Sequence, residues 1–347
     1  VYLHHPEAMH HRMQVNIPVG GLHDPEGKEG ISHILEHTIL CGTDDFTEQE
    51  FEAKLMRMGG DKAAYTGFDK TEMILQSSSY DPLNLHEISR MMQSLLTKAC
   101  FDPNRVRLEQ DVILNERGDD LDKLDRGACQ RLNRLLREPT GTYVDLMGTE
   151  ESILSVTPDD LRQYMESNYD GSQMVAYIVS PVPLETAKPI LERSLGRIPN
   201  LGNPVLPREV LKVSEADHRI TSPHLNQNYT AIMFHYDLPT DPVQFQVNAF
   251  ARSIINKSMV DFIRSREGCF YTPESKGWSA DKDSALHVLT MSNRPNHTPK
   301  AAQGIIDFVG LVDDLFPDEI LQGLIDTDIQ DTHKPELKSA ESLLGTI

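Results

Sequence analysis

Apolar residues recur at helical spacing through "PLNLHEISRMMQSLLTKACF", where Leu83, Leu85, Ile88, Met91, Met92, Leu95 and Leu96 fall mostly on one side. The segment is therefore predicted to be a helix with one face in a core. Shorter apolar runs bounded by glycine, proline and polar clusters predict strands from Met13 to Gly21, Thr71 to Ser79 and Met174 to Ser180. Around them the pattern predicts helices from about Lys28 to Leu40, from Thr47 to Gly59, and over a long charged stretch from Arg105 to about Leu136. Two short helices follow between Gly148 and Tyr169, and another runs from Leu184 to Leu195. The second helix carries its own punctuation: Thr47 and Glu50 form a capping box, and Gly59–Gly60 stops it.

The rhythm then breaks. "GRIPNLGNPVLPREV" holds three prolines and two glycines in fifteen residues, a linker composition. A domain boundary is expected near residues 196–212. Beyond it come a strand from Tyr229 to Pro239, a long helix from about Val243 to Arg266, strands near Phe270–Thr272 and Ala285–Met291, and helices from about Lys300 to Ile329. The fold class expected is α+β: two similar α/β-type halves, each a mostly antiparallel sheet packed with helices.

At 347 residues the chain is long enough for two domains with their own cores. Its 53 acidic against 33 basic residues give a net charge of −20, which disfavours nucleic acid as a partner. That charge is either a solubilising surface or an acidic cavity drawing in a cationic ligand. The four cysteines, Cys41, Cys100, Cys129 and Cys269, are too scattered for a disulfide framework or a cysteine zinc site, so a reducing compartment fits best. No apolar run approaches the length of a membrane span. The histidine-rich opening "VYLHHPEAMHHR" is expected to be a solvated arm, and the absence of an initial methionine suggests a trimmed N-terminus.

One stretch carries candidate chemistry. "GISHILEHTILCGT" contains His33, Glu36 and His37 in an H-x-x-E-H arrangement. Residues at i, i+3 and i+4 share a helix face. Two imidazoles one turn apart can hold one zinc, and the carboxylate between them can take a proton from the water that zinc acidifies. Three polar residues on a helix surface are the plainer alternative. A hydrolytic zinc site needs a third protein ligand, and Glu116 in "DVILNERG" is the best candidate. Glu109, two turns earlier on nearly the same face, could orient a ligand. Cys41 is expected to pack its helix rather than to bind metal.

The surrounding motifs resemble the pitrilysin and mitochondrial-processing-peptidase family of inverted zinc peptidases. Gly30 precedes the H-x-x-E-H and Gly42–Thr43 follows it; "VILNE" ends at Glu116, with Glu109 seven residues before. The family's G-T-led segment appears as Gly148, Thr149, Ile153, Val156, Thr157, Asp160, Leu161 and Tyr164. In the second half "IRSREGCFY" supplies Arg264, Gly268 and Tyr271 at the spacing of the family's substrate-gripping arginine and tyrosine.

The resemblance implies a zinc endopeptidase with one Zn²⁺ per chain on His33, His37 and Glu116, and Glu36 as general base. Arg264 and Tyr271 would complete the catalytic set, within a catalytic domain over residues 1–195 and a second homologous domain over 213–347. Such proteins close a chamber around their substrate, so a homodimer, or alternatively a heterodimer, is expected. The substrates expected are peptides, basic or unfolded ones by mild preference. Two departures stand out. Ala63 occupies the place of a peptide-holding asparagine, and the second half ends at "SLLGTI" without the family's final strand and helix. The alternative reading is a non-catalytic partner subunit of a peptidase-like complex.

Overall fold

The computed structural model describes residues 1–79, 81–122, 144–202, 228–237, 270–279, 284–293 and 298–311, together with Arg134, Ile255, Ser258, Met259 and Phe262. These fall into two compact units, residues up to 117 with 144–202 in the first, and residues 118–122, Arg134 and those from 228 to 311 in the second.

The first unit is built on a five-stranded sheet. Its strands are β1 (Tyr2–His4), β2 (His10–Ile17), β5 (Asp61–Thr66), β6 (Thr71–Ser78) and β7 (Val175–Ser180), in the order β1-β7-β2-β6-β5. Only the β1–β7 pair is parallel. Two-residue strands β3 (Gly42–Thr43) and β4 (Phe46–Thr47) form a separate small hairpin. The helices are α1 (Ile31–Ile39), α2 (Glu48–Arg57), α3 (Leu83–Lys98), α4 (Pro103–Asp122), α5 (Glu150–Ser155), α6 (Pro158–Asn168) and α7 (Leu184–Arg193).

Strand alternation dictates the core. Met13, Val15 and Ile17 on β2 and Met73 and Leu75 on β6 are all but inaccessible, and they share one cluster with Ile88, Met91, Met92 and Leu95 of α3. Removing each such side chain from water contributes roughly 1.5–3 kcal/mol, so this seam is the main stabiliser of the unit. The apolar stripe of α3 thus lies where its spacing predicts, with Leu83, at the helix start, left exposed.

The opening of the chain corrects the expectation of a solvated arm. Tyr2, Leu3 and His4 pair with Ile178, Val179 and Ser180, and β2 begins at His10, three residues before the strand the sequence predicts. His11 is fully buried, 2.9 Å from the Ser180 hydroxyl, and burial pushes its pKa down. Neighbouring strands on both sides override the polar composition.

In the second unit β8 (Asn228–Asp237), β9 (Phe270–Ser279) and β10 (Ser284–Asn293) form an antiparallel sheet in the order β8-β10-β9. Helix α8 (Thr298–Gly310) packs on β8 and β10, with Ala301, Ile305 and Phe308 buried beside Met259 and Leu289. The α+β class is therefore observed, each unit having its own mostly antiparallel sheet. Most of the expected 196–212 linker, the long helix from Val243 and the chain beyond residue 311 lie outside the described residues.

Candidate metal centre

Helix α1 begins at a residue that cannot cap it. Gly30 sits in left-handed backbone, φ +91°, and a Cβ there would run into the Met147 carbonyl oxygen. Gly148, φ +78°, approaches the Glu29 carbonyl just as closely from the other side. The two glycines let the chain at 29–30 cross the chain at 147–148 without clearance for a side chain.

The missing cap comes from Asp24. Its carboxylate accepts from the Gly30 amide (2.7 Å), the Ser32 amide (3.2 Å) and the Ser32 hydroxyl (2.5 Å), and Tyr164 Oη lies 3.3 Å away. Burial pushes the Asp24 carboxyl up to about 6, although these donors favour the charged form. The G-T segment supplies the rest of the frame. Thr149 and Thr157 cap α5 and α6, and Ser152 donates to the Glu29 carbonyl at 2.7 Å. Asp160 pairs with Lys28 at 2.9 Å. Tyr164 places its hydroxyl 2.8 Å from Ser32 Oγ. The motif anchors the first turn of α1.

From that turn, Ile31, Ile34, Leu35, Thr38 and Ile39 point into the core while His33, Glu36 and His37 share the opposite face. The two imidazoles meet edge to face, centroids 4.8 Å apart. Helix α4 brings Glu116 to them: one carboxylate oxygen lies 3.9 Å from His33 Nε2 and 3.6 Å from His37 Nε2. Glu36 Oε2 lies 3.9 Å from His33 Nε2. Burial pushes the Glu36 carboxyl up, with the Glu116 charge adding to the rise; the Thr66 hydrogen bonds and His37 oppose it.

Glu109, two turns before Glu116, is buried at 8% exposure and accepts from His37 Nδ1 at 3.1 Å. That bond leaves Nε2 of His37 facing Glu116. Arg105 holds the other Glu109 oxygen at 2.9 Å and reaches Glu48 at 2.9 Å. Cys41 does pack here, but among polar neighbours. Its sulfur lies 3.2 Å from Arg105 Nε and 3.8 Å from Glu109 Oε1. Gln110 ties α4 to α5 by donating to the Ile153 and Val156 carbonyls, and Arg117 pairs with Asp145 at 2.9 Å beside Glu116.

The donor set can be tested against zinc. His33, His37 and Glu116 each offer one ligand atom within 4.8 Å of the others. Tetrahedral zinc with bonds of about 2.0–2.2 Å needs ligands roughly 3.3–3.5 Å apart. The Glu116 oxygen, 3.9 and 3.6 Å from the two nitrogens, is within a few tenths of an ångström of that, and the widest separation closes by up to about 1.5 Å through side-chain rotation. Two imidazoles and one carboxylate, with the fourth direction left to water, are the donors of hydrolytic zinc. The residues fit the ion.

The expectations for the second half stand differently. Arg264 lies outside the described residues. Tyr271 belongs to β9, and its side chain is not among those described. Sequence reasoning passed over Asp24 and Arg105; Thr66 matches the family's motif after the second helix but was given no role. Only Arg105, one turn before Glu109, had a spacing that could have revealed it.

Two family models match the chain. One described as "Insulinase (Peptidase family M16)" covers residues 1–139, and one described as "Peptidase M16 inactive domain" covers residues 155–327. The chain belongs to peptidase family M16. Relatives include the mitochondrial-processing peptidase subunit beta of Saccharomyces cerevisiae, 27% identical over 51% of this chain and 37% of its own length. The probable zinc protease PqqL of Escherichia coli is 26% identical over 57% of this chain and 22% of its own length. The chain thus spans well under half of these curated relatives.

Solved structures share the fold. The periplasmic protease PqqL superposes with a TM-score of 0.76 at 20% identity, covering 99% of this chain and 40% of that one. A protease from Helicobacter pylori gives 0.80 at 17% identity, covering 97% and 83%. At such identities the likeness concerns the fold alone. No described helix is long and apolar enough to cross a membrane.

Proposed function

We propose that this M16 chain is a zinc-dependent endopeptidase that hydrolyses peptides or unfolded segments. The observation that carries the reading is the convergence of His33, His37 and Glu116 within 4.8 Å, with Glu36 beside them. Zinc bound there would supply Lewis acidity and a water of lowered pKa. Glu36 takes a proton at its Oε2 and later delivers it to the leaving amine, acting as base and then acid. Its buried carboxyl, raised above the ordinary glutamate range, suits a group that must both accept and release a proton. Glu109 keeps the proton of His37 on Nδ1, so that Nε2 stays a ligand.

Substrate would lie along β5. That strand is the edge of its sheet, next to α1, and an extended peptide can add there by main-chain pairing. Ala63 on β5 offers no amide where the family has asparagine, so the grip would rest on backbone. Arg264 and Tyr271 would hold the substrate carbonyl. We place catalysis in residues 1–195 and the substrate-gripping pair in 213–347, with the site completed across a homodimer or, alternatively, a heterodimer; the yeast relative is itself named a subunit. The net charge of −20 favours basic peptides.

The second reading, a non-catalytic partner subunit, has one observation in its favour: the model matching residues 155–327 is described as inactive. A mixed peptide library separates the two. Cleavage by the wild type and none by Glu36→Gln is expected of the peptidase; no cleavage by zinc-loaded wild type identifies a partner subunit.

A further inference from the structure

The Glu36 carboxylate is held from the neighbouring sheet. Thr66 is the last residue of β5, the edge strand that lies next to α1. Both its hydroxyl and its backbone amide donate to the Glu36 carboxylate. The same hydroxyl lies 3.5 Å from the carbonyl oxygen of Ser32, one turn before Glu36 on α1. A hydroxyl has one proton to give, and a charged carboxylate takes it in preference to a carbonyl at the limit of reach.

The strand register frees the amide for this bond. Gly67 donates to the Lys70 carbonyl at 2.8 Å, closing the turn between β5 and β6, and Thr66 faces Thr71 one step further in. Successive amides of a strand point to opposite sides along the sheet. Since the Gly67 amide points at β6, that of Thr66 points off the open edge. The turn itself is fixed. Gly21 and Leu22 donate to the Gly67 and Phe68 carbonyls at 3.1 and 2.7 Å, and the Thr71 hydroxyl donates to the Val19 carbonyl at 2.8 Å. A Cβ on Gly20 would strike the Gly67 carbonyl oxygen, so the two segments meet backbone to backbone.

An unrestrained glutamate on a helix face samples several rotamers. Two donors from a fixed strand remove that freedom, and Glu36 Oε2 rests 3.9 Å from His33 Nε2. Such orientation is what a group that accepts a proton in the transition state requires. We propose that Thr66 is a positioning residue of the peptidase reaction, its hydroxyl and amide holding the Glu36 carboxylate beside His33 and His37. The proposal rests on the zinc-peptidase reading.

Two measurements test it, one of them independent of activity. Denaturant melts of the metal-free chain at about pH 8 compare wild type, Thr66→Val, Glu36→Ala and the double variant as a cycle. Valine keeps the branched shape on the strand and lacks the hydroxyl. Thr66→Val should shift the folding equilibrium roughly 3- to 30-fold more with Glu36 present than with alanine there. Equal shifts in the two backgrounds would remove the contact and the proposal with it. In the zinc-loaded chain, acting on a library peptide that the wild type cuts, Thr66→Val should lower kcat roughly 10- to 100-fold, with KM within about twofold and zinc content unchanged. The amide remains in every variant, so the loss is partial. Thr66→Ser should restore most of the rate. A Thr66→Val chain that cuts at the wild-type rate, a loss confined to KM, or a Thr66→Ser chain as slow as Thr66→Val would overturn the proposal. A wild type that cuts nothing while the melts still couple Thr66 to Glu36 marks the failure of the peptidase reading instead, and the positioning role falls with it.

Discussion

Glu109 bridges His37 and Arg105: one oxygen lies 3.1 Å from His37 Nδ1, the other 2.9 Å from Arg105 Nη2. The carboxylate therefore orients an imidazole while a guanidinium orients the carboxylate. Glu109→Gln is expected to weaken zinc affinity by roughly 10- to 100-fold, the usual cost of losing such a support. Arg105→Ala should weaken it less, because Glu109 remains. Competition with a fluorescent chelator measures both; equal affinity in wild type and Glu109→Gln would remove the bridge from the account.

The cap on α1 makes a pH prediction. The Asp24 carboxyl is raised to about 6 in the folded chain against an ordinary value of 3.8, so the folded state holds its proton more tightly than the unfolded state. Stability should then rise as pH falls through 6 toward 4. The gain from this group is at most roughly 3 kcal/mol, since each tenfold difference in proton affinity between the two states is worth about 1.36 kcal/mol. Above pH 6 the charged, buried carboxylate loses that contribution. Metal-free wild type and Asp24→Asn, melted between about pH 4.5 and 7.5, isolate the effect. The wild type should gain on the variant as the solution is acidified; parallel curves would refute the assignment.

Gly30→Ala should be severe. It combines a positive φ with a clash against the Met147 carbonyl, both at the first turn of the metal helix. A loss of roughly 2–4 kcal/mol is expected, together with weakened metal binding, because α1 must shift. Denaturant melts report the first and chelator competition the second. A neutral substitution would show that the crossing of 29–30 over 147–148 is not tight.

How much of this was legible in the sequence depends on the range of the interaction. The metal face of α1 follows from spacing alone, since i, i+3 and i+4 share a side wherever a helix forms. Glu116 and Glu109 share a helix for the same reason, but their approach to His33 and His37 needs 72 to 83 residues of chain to fold back, which the family resemblance supplied. Asp24 was not legible. An aspartate six residues before Gly30 lies in no capping position, and only the tight Gly30 crossing brings it over the first amides. The buried His11 likewise depends on Ser180, 169 residues away.

The composite-site proposal has its own test. If Arg264 and Tyr271 of one chain serve the metal centre of another, Arg264→Ala and Glu36→Gln chains should each be inactive. Mixing them should restore up to about a quarter of wild-type activity, as for any two-site dimer with one intact site in its mixed half. No recovery on mixing, or an active species that sediments as a monomer, would place the pair in the same chain as the zinc or remove it from catalysis.

The most direct measurement is the zinc content of four purified chains, read by mass spectrometry alongside cleavage of a peptide library. Wild type and Glu36→Gln should each carry one zinc, with cleavage lost by at least roughly 10²–10⁴-fold in Glu36→Gln. His33→Ala and Glu116→Gln should lose zinc and activity together. A wild type that binds no zinc, or a Glu36→Gln chain that still cuts at the wild-type rate, would contradict the account.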